Sequence, residues 1–149
     1  MNYRYATLKD CPLLAILNGQ LIRDEGHRNP MTVEELEERM RRWLKDEYKA
    51  VLFEDGGEIV AYALFTERKG DIYLRQFYVV PHRRRQGIGT TAMQALQSEV
   101  FPPGKRITVE VLVGNHAAIG FWKHIGFHEY SLVMEMLPED ASTSETRTP

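Results

Sequence analysis

A chain of 149 residues with 43% hydrophobic side chains has material for one core and one domain. Its net charge of −2 and pI of about 6.2 exclude general binding to nucleic acid or to an anionic membrane surface, so the run Arg83, Arg84, Arg85 is a local feature and not a compositional one. The single cysteine, Cys11, excludes an internal disulfide; with no apolar run of membrane-spanning length and no signal-peptide pattern, the sequence predicts a cytoplasmic protein.

Residues 3–6 alternate as a short strand, and residues 7–10 turn into a first helix with Asp10 as its cap. That helix runs to about Arg23, with Leu13, Leu14, Leu17 and Leu21 at helical spacing and Cys11 in its core-facing part. Gly26 and the pair Asn29, Pro30 break it into a loop. Thr32 and Glu35 then read as a capping box for a second helix, whose apolar stripe is Val33, Leu36, Met40, Trp43 and Leu44. Strands over 49–54 and 58–66 flank the hairpin turn Asp55, Gly56, Gly57, and a second turn at 68–71 leads to a central strand over 72–80. A helix from the glycines at 87 and 89 to about Val100, a strand over 107–113, a helix over 116–124 and a last strand over 130–136 complete a domain of residues 1–137. Residues 138–149 are polar and aperiodic, which predicts a disordered tail. A hairpin-rich front half followed by alternating strands and helices predicts an α/β protein with a mixed sheet and helices on both faces.

The junction at 78–90 carries the most chemistry. A β-branched strand ends at Pro81, three arginines follow, and Gly87 and Gly89 open a helix. The first turn of a helix has unpaired N–H groups and the positive end of the dipole, and glycine lets an anion approach them. A phosphate or pyrophosphate is the guest this chemistry suits. No Lys follows Gly89 as in a nucleoside-triphosphate loop, and residues 93–97 hold no third glycine of a dinucleotide fingerprint.

Arg84-x-x-Gly87-x-Gly89 resembles the acyl-CoA pyrophosphate loop of the GNAT N-acetyltransferases. A second stretch, with Asn115, Ala118, Phe121, Trp122, Gly126 and Phe127, resembles that family's Asn-x-x-Ala-x-x-Phe/Leu-Tyr-x-x-x-Gly-Phe pattern at the same spacing. The resemblance covers residues 3–137. It implies a GNAT fold: a mostly antiparallel mixed sheet, splayed between the two strands that flank the loop helix, with acetyl-CoA wedged in the gap. It implies cofactor contacts at Phe77, Tyr78, Val79 and Val80 for the pantetheine arm, and at Arg84, Arg85, Gln86, Gly87, Ile88, Gly89 and Thr90 for the pyrophosphate. It also implies cofactor contacts at Asn115, Ala118, Phe121 and Trp122.

Acetyl transfer to an amine requires removal of an ammonium proton, polarisation of the thioester carbonyl and departure of a thiolate. Glu110, a carboxylate inside the apolar run Val109, Glu110, Val111, is the candidate base; the alternative is a glutamate salt-bridged to Arg106 or Arg75. Trp122 stands where many relatives have a tyrosine able to protonate the thiolate, and an indole N–H is no such acid. That leaves solvent, Tyr73 or Tyr78 for the task, with Tyr73 the catalytic candidate beside Glu110. Arg75 suits a carboxylate or phosphate on the acceptor, unless it pairs with Glu110, Glu58 or Asp71, and Glu25 and His27 in the loop after the first helix suit an ammonium. The expected function is direct acetyl-CoA-dependent N-acetylation of a small-molecule or peptide amine; the alternative is a CoA-binding regulatory domain. No metal, nucleic-acid or membrane partner is expected, and a homodimer is left open.

Overall fold

The computed structural model describes residues 1–138. The tail expected over 138–149 lies, apart from Pro138, outside the described residues. The elements are β1 (Asn2–Tyr5), α1 (Cys11–Glu25), α2 (Val33–Lys45), β2 (Lys49–Asp55), β3 (Glu58–Glu67), β4 (Ile72–Val79), α3 (Ile88–Ala95), β5 (Ile107–Thr108) and α4 (His116–Ile125). The five strands form one sheet in the order β1-β2-β3-β4-β5. β1 through β4 pair antiparallel and β4 pairs β5 parallel, which is the mixed sheet expected.

Local chemistry explains most of these boundaries. Thr32 accepts from the Glu35 amide at 3.1 Å while the Glu35 carboxylate accepts from the Thr32 amide at 2.8 Å, so the capping box starts α2 as its sequence predicts. Gly56 and Gly57 have φ of 62° and 81°, the two positive values that a tight hairpin between β2 and β3 requires. Asp10 stands at the N-cap position of α1 as expected, but its side chain makes no capping hydrogen bond to that helix. Its carboxylate accepts from the Thr7 amide at 2.7 Å and from Arg4 at 3.0 Å, so it closes the short 3₁₀ turn Leu8–Asp10 and not α1.

Neighbouring residues of β4 show that helices cover both faces of the sheet. The Tyr78 hydroxyl donates to Gln20 of α1 at 3.2 Å, whereas Val79 lies against Gly89 of α3. The core between the layers includes Leu14, Leu17, Met40, Phe53, Tyr62, Leu64, Ile72 and Met93. Cys11 is fully buried among them, and burial raises its thiol pKa.

The back half departs from expectation in two places. The strand expected over 107–113 is laddered only at Ile72↔Ile107 and Tyr73↔Thr108. The last strand, expected over 130–136, has no ladder partner among the described residues, and Tyr130, Leu132, Val133, Met134 and Met136 are 72–96% exposed. Alternation marks a segment able to form a strand, but a ladder needs a partner in register, and neither segment offers one to the other here. The helix expected to reach Val100 does so by widening into a π-type turn over Leu96–Val100.

Candidate active site

The glycine loop begins where β4 ends. Arg85 has φ of 62° and Gly87 has φ of 77°, so two residues in the left-handed region bring the chain sharply into α3. No side chain caps that helix at Gly87, so its first-turn amides are available to an anion. The three arginines have separate duties. Arg83 pairs with Asp55 and Glu58 of the β2–β3 hairpin. Arg84 donates to the Val79 carbonyl at 2.9 Å and to Asp24 of α1 at 2.7 Å, and stacks on Tyr78. Arg85 makes no ion pair among the described residues. Two of the three therefore brace the loop against protein carboxylates, and Arg85 is the one without an ion pair among the described residues. Gln86 accepts from Arg83 at 3.0 Å and belongs to the same brace.

Gly89 also has a packing reason that the sequence did not suggest. A Cβ there would stand 3.0 Å and 3.2 Å from two ring atoms of Phe121, so the glycine allows α3 to approach α4. Asn115 is the N-cap of α4: its side-chain oxygen accepts from the Ala118 amide at 3.2 Å. Phe121 and Trp122 enter an aromatic cluster. Phe121 stacks on Phe77 at 6.0 Å, and Trp122 meets Phe77, Phe121 and Phe127 edge-on at 5.5, 4.9 and 5.1 Å.

Beyond Tyr73 the inner edge of β4 loses its parallel neighbour. A bulge intervenes, because Phe65 faces Leu74 and Leu64 faces Gln76, leaving Arg75 as the extra residue. The Val80 amide donates to the Val60 carbonyl at 2.9 Å. By antiparallel alternation, Tyr78 and Val80 spend their backbone groups on β3, while Phe77 and Val79 turn theirs to the open side. The Val79 carbonyl is already taken by Arg84. The groups left for an extended ligand are thus the Phe77 N–H and C=O and the Val79 N–H. The Ile88 side chain is buried in the core, which leaves only its backbone at the loop surface. Thr90 stands in the first turn of α3.

The open edge leads into a cleft of about 280 Å³ between α1, α2, β4 and residues 109–110. Its lining brings together Glu25, His27, Tyr73, Arg75, Glu110 and Trp122, nominated from separate stretches of sequence. The Tyr73 hydroxyl donates to Glu110 Oε1 at 2.5 Å. Burial first, and then that hydrogen bond, push the Tyr73 pKa up to about 12. Glu110 does not sit inside a strand as expected; it is an exposed residue just past the end of β5, held by Tyr73 and not by Arg106 or Arg75. Glu25 bonds His27 at 2.9 Å, and its pKa is raised mainly by burial, with the histidine opposing. Arg75 pairs with none of the carboxylates considered. It donates to the Tyr48 hydroxyl at 3.2 Å and stacks on Trp43 at 4.6 Å. Tyr78 does not line the cleft and is buried against α1.

Sequence reading missed Asn18 and Arg39, both of which line the cleft. A signal existed for Asn18, which falls on the buried stripe of α1 between Leu14 and Leu21 and is 1% exposed.

The chain resembles solved structures over nearly its whole length. A mutant of the BH1408 protein from Bacillus halodurans superposes with a TM-score of 0.76 at 21% identity, covering 93% of this chain and 100% of that one. Aminoglycoside N-acetyltransferase AAC(6')-Iy in complex with CoA gives 0.72 at 15% identity, covering 92% and 93%. A predicted acetyltransferase from Clostridium acetobutylicum, solved with acetyl-CoA, gives 0.64 at 20% identity, covering 91% and 95%. Among curated proteins, none matches this sequence. At these identities the structures establish the GNAT fold. The model of the acetyltransferase (GNAT) family matches residues 17–127, from the middle of α1 through the glycine loop to the Gly126, Phe127 pair, and on that match the chain belongs to the GNAT acetyltransferase family, whose enzymes use acetyl-CoA.

Proposed function

We propose that this acetyltransferase moves an acetyl group directly from acetyl-CoA to an amine seated in the cleft, with Glu110 as the base. The observation that carries the reading is the Tyr73–Glu110 hydrogen bond of 2.5 Å, in a cleft that opens onto the unpaired edge of β4. The residues present fit the cofactor. The uncapped start of α3, with Arg85 beside it, suits a pyrophosphate, and the free groups of Phe77 and Val79 suit an amide-bearing arm laid along the strand. When bound, acetyl-CoA supplies a thioester carbonyl carbon open to attack.

The chain's own residues do the rest. An alkyl ammonium, with a pKa of about 10.4, must lose its proton before it can attack. The Glu110 carboxylate accepts that proton, directly or through one water. Tyr73 holds the carboxylate in place and keeps its own proton at neutral pH, since its pKa is about 12. Its proton is directed at Glu110, so Tyr73 acts as a positioning residue in this state and not as the acid for the thiolate. Trp122, edge-on to three phenylalanines, walls the cleft and excludes water from its inner side. A thiol-release assay with an amine panel tests the reading. Acetyl-dependent release with at least one amine, abolished or strongly reduced in Glu110→Gln, is the expected result. Tight acetyl-CoA binding with no release from any amine would favour the CoA-binding regulatory domain instead.

The same reading includes a homodimer. Residues 130–136 expose apolar side chains, and residues 109–113 continue past β5 without a ladder. In a two-fold pair, each copy's 130–136 can extend the other's sheet along 109–113, covering both at once. Light scattering should give the mass of two chains, and a Leu132→Glu, Met134→Glu double variant should give one. A monomeric wild-type chain at high concentration rules the pairing out.

A further inference from the structure

Two arginines of the cleft form no ion pair with a carboxylate among the described residues. Arg39 of α2 and Arg75 of β4 stack on the same Trp43 ring, with guanidinium carbons 4.4 and 4.6 Å from its centroid. Both line the cleft, and neither pairs with a carboxylate among the described residues. Their hydrogen-bond partners are neutral: Arg39 donates to Asn18 Oδ1 at 3.2 Å, and Arg75 to the Tyr48 hydroxyl at 3.2 Å.

The same part of the cleft has donors without acceptors. Asn18 is 1% exposed and its Nδ2 has no partner; the buried Nε of Arg39 has none either. An unpaired donor in a buried position costs about 1–3 kcal/mol, and more when charged, so such groups are kept where a ligand satisfies them. Burial, and next the charge of Arg75, lower the pKa of Arg39, which agrees with two guanidinium groups that lack a shared anion.

We infer that Arg39, Arg75 and Asn18 form an anion subsite, and that the acceptor is a small amine carrying a carboxylate, of the amino-acid class. The inference rests on the transferase reading above and narrows it. The geometry supplies both ends of such a molecule. The Arg75 guanidinium carbon lies 5.9 Å from the Tyr73 ring centroid, and the Tyr73 hydroxyl reaches Glu110. Cation and base therefore flank a single tyrosine ring, within the span of a compact zwitterion. The planar forks of Arg39 and Arg75 suit a carboxylate. A cleft of about 280 Å³ lies at the lower end of ligand-site volumes, which favours a small acceptor. Polycationic acceptors, such as polyamines and aminoglycosides, would place charge against two guanidinium groups, so they are disfavoured here although a structural neighbour bears an aminoglycoside acetyltransferase's name.

Matched acceptors test this on the wild-type protein. Thiol release is measured for a panel of amino acids, for their carboxamides, for aminoalkyl phosphonates of similar length, and for spermidine and kanamycin. Calorimetry on the CoA-loaded protein measures binding of the same compounds without turnover. The best carboxylate should exceed its own carboxamide in kcat/KM and in affinity by tenfold or more, since one charge-assisted hydrogen bond is worth about 1.5 kcal/mol or more. Arg75→Gln, at an exposed position, should remove most of that preference by lowering kcat/KM for the carboxylate far more than for the carboxamide; Arg39→Gln should do the same if it folds. Equal use of acid and amide, preference for phosphonate, or preference for a polyamine or aminoglycoside overturns the carboxylate assignment while leaving the transferase reading intact. No thiol release from any amine overturns the transferase reading, and the subsite then stands or falls on whether calorimetry shows carboxylate-dependent binding that Arg75→Gln abolishes.

Discussion

Tyr73 and Glu110 meet at 2.5 Å across the point where β4 and β5 part, one from the last residue of β4 laddered to β5 and one from two residues beyond the end of β5. The bond fixes a carboxylate that the backbone there does not hold. Glu110→Gln keeps the shape and removes the basicity. The expected loss in kcat/KM is about 10²-fold or more at neutral pH, shrinking at high pH as free amine becomes abundant. Tyr73→Phe should cost less and should fall mainly on kcat, because the base remains but is less well placed. Near-wild-type activity of Glu110→Gln from pH 6 to pH 9, as measured by thiol release, would make Glu110 structural.

A second carboxylate anchors the same junction from below. Asp71, 3% exposed, accepts two hydrogen bonds from Arg68 at 2.8 and 2.7 Å and one from Thr108 at 2.5 Å. The Arg68 hydrogen bonds, ahead of those from Thr108 and the nearby charges, hold its pKa down at about 2. Because the folded pKa lies below the unfolded one, this stabilisation is full above the ordinary value of 3.8 and is lost as pH falls to about 2. Asp71→Asn should therefore cost about 2 kcal/mol at pH 7 in urea unfolding, and the gap to wild type should close near pH 2. A gap that is constant with pH would show that the arginine–aspartate interaction is not its source.

The two loop glycines should fail in different ways. Gly87 has φ of 77° with open space around it, so Gly87→Ala meets only backbone strain, about 1–2 kcal/mol. At Gly89 an added Cβ meets the Phe121 ring at 3.0 Å, an overpacking cost of about 1–3 kcal/mol. Thermal unfolding of Gly89→Ala alone and combined with Phe121→Leu checks this. Recovery of stability in the double variant is expected; strictly additive losses would refute the contact as the cause.

How much of this was readable in sequence follows from the range of each interaction. The turn into α3 at 84–89, the capping box at Thr32 and Glu35 and the hairpin at Gly56 and Gly57 are written in residues a few positions apart, and each takes the local conformation expected. Glu110 and Tyr73 were nominated singly, but their bond depends on the parallel register Tyr73↔Thr108, which no local pattern encodes. Asn18 and Arg39 were missed because their meeting depends on how α1 packs on α2. Residues 109–113 and 130–136 are apolar like strands, yet that pattern does not say whether a partner stands beside them.

The departure at position 122 allows a test that separates packing from chemistry. Trp122 touches Phe77, Phe121 and Phe127 edge-on, and no described residue accepts from its indole N–H. If packing is its whole role, Trp122→Phe keeps an aromatic ring in the cluster and should retain most activity and acetyl-CoA affinity. Loss of about 1 kcal/mol in acetyl-CoA or acceptor affinity, the worth of a neutral hydrogen bond, would instead assign the N–H a ligand. Trp122→Tyr adds a hydroxyl to a residue that lines the cleft. Tyr73 spends its proton on Glu110 and Tyr78 is buried against Gln20, so neither native hydroxyl is free to protonate a departing thiolate. With departure partly rate-limiting, Trp122→Tyr should equal or exceed wild type in kcat, and a gain should grow as pH falls below the thiol pKa of the leaving group. A fall in kcat with unchanged acetyl-CoA affinity would show that the larger indole ring, and not an acid, is what the cleft requires.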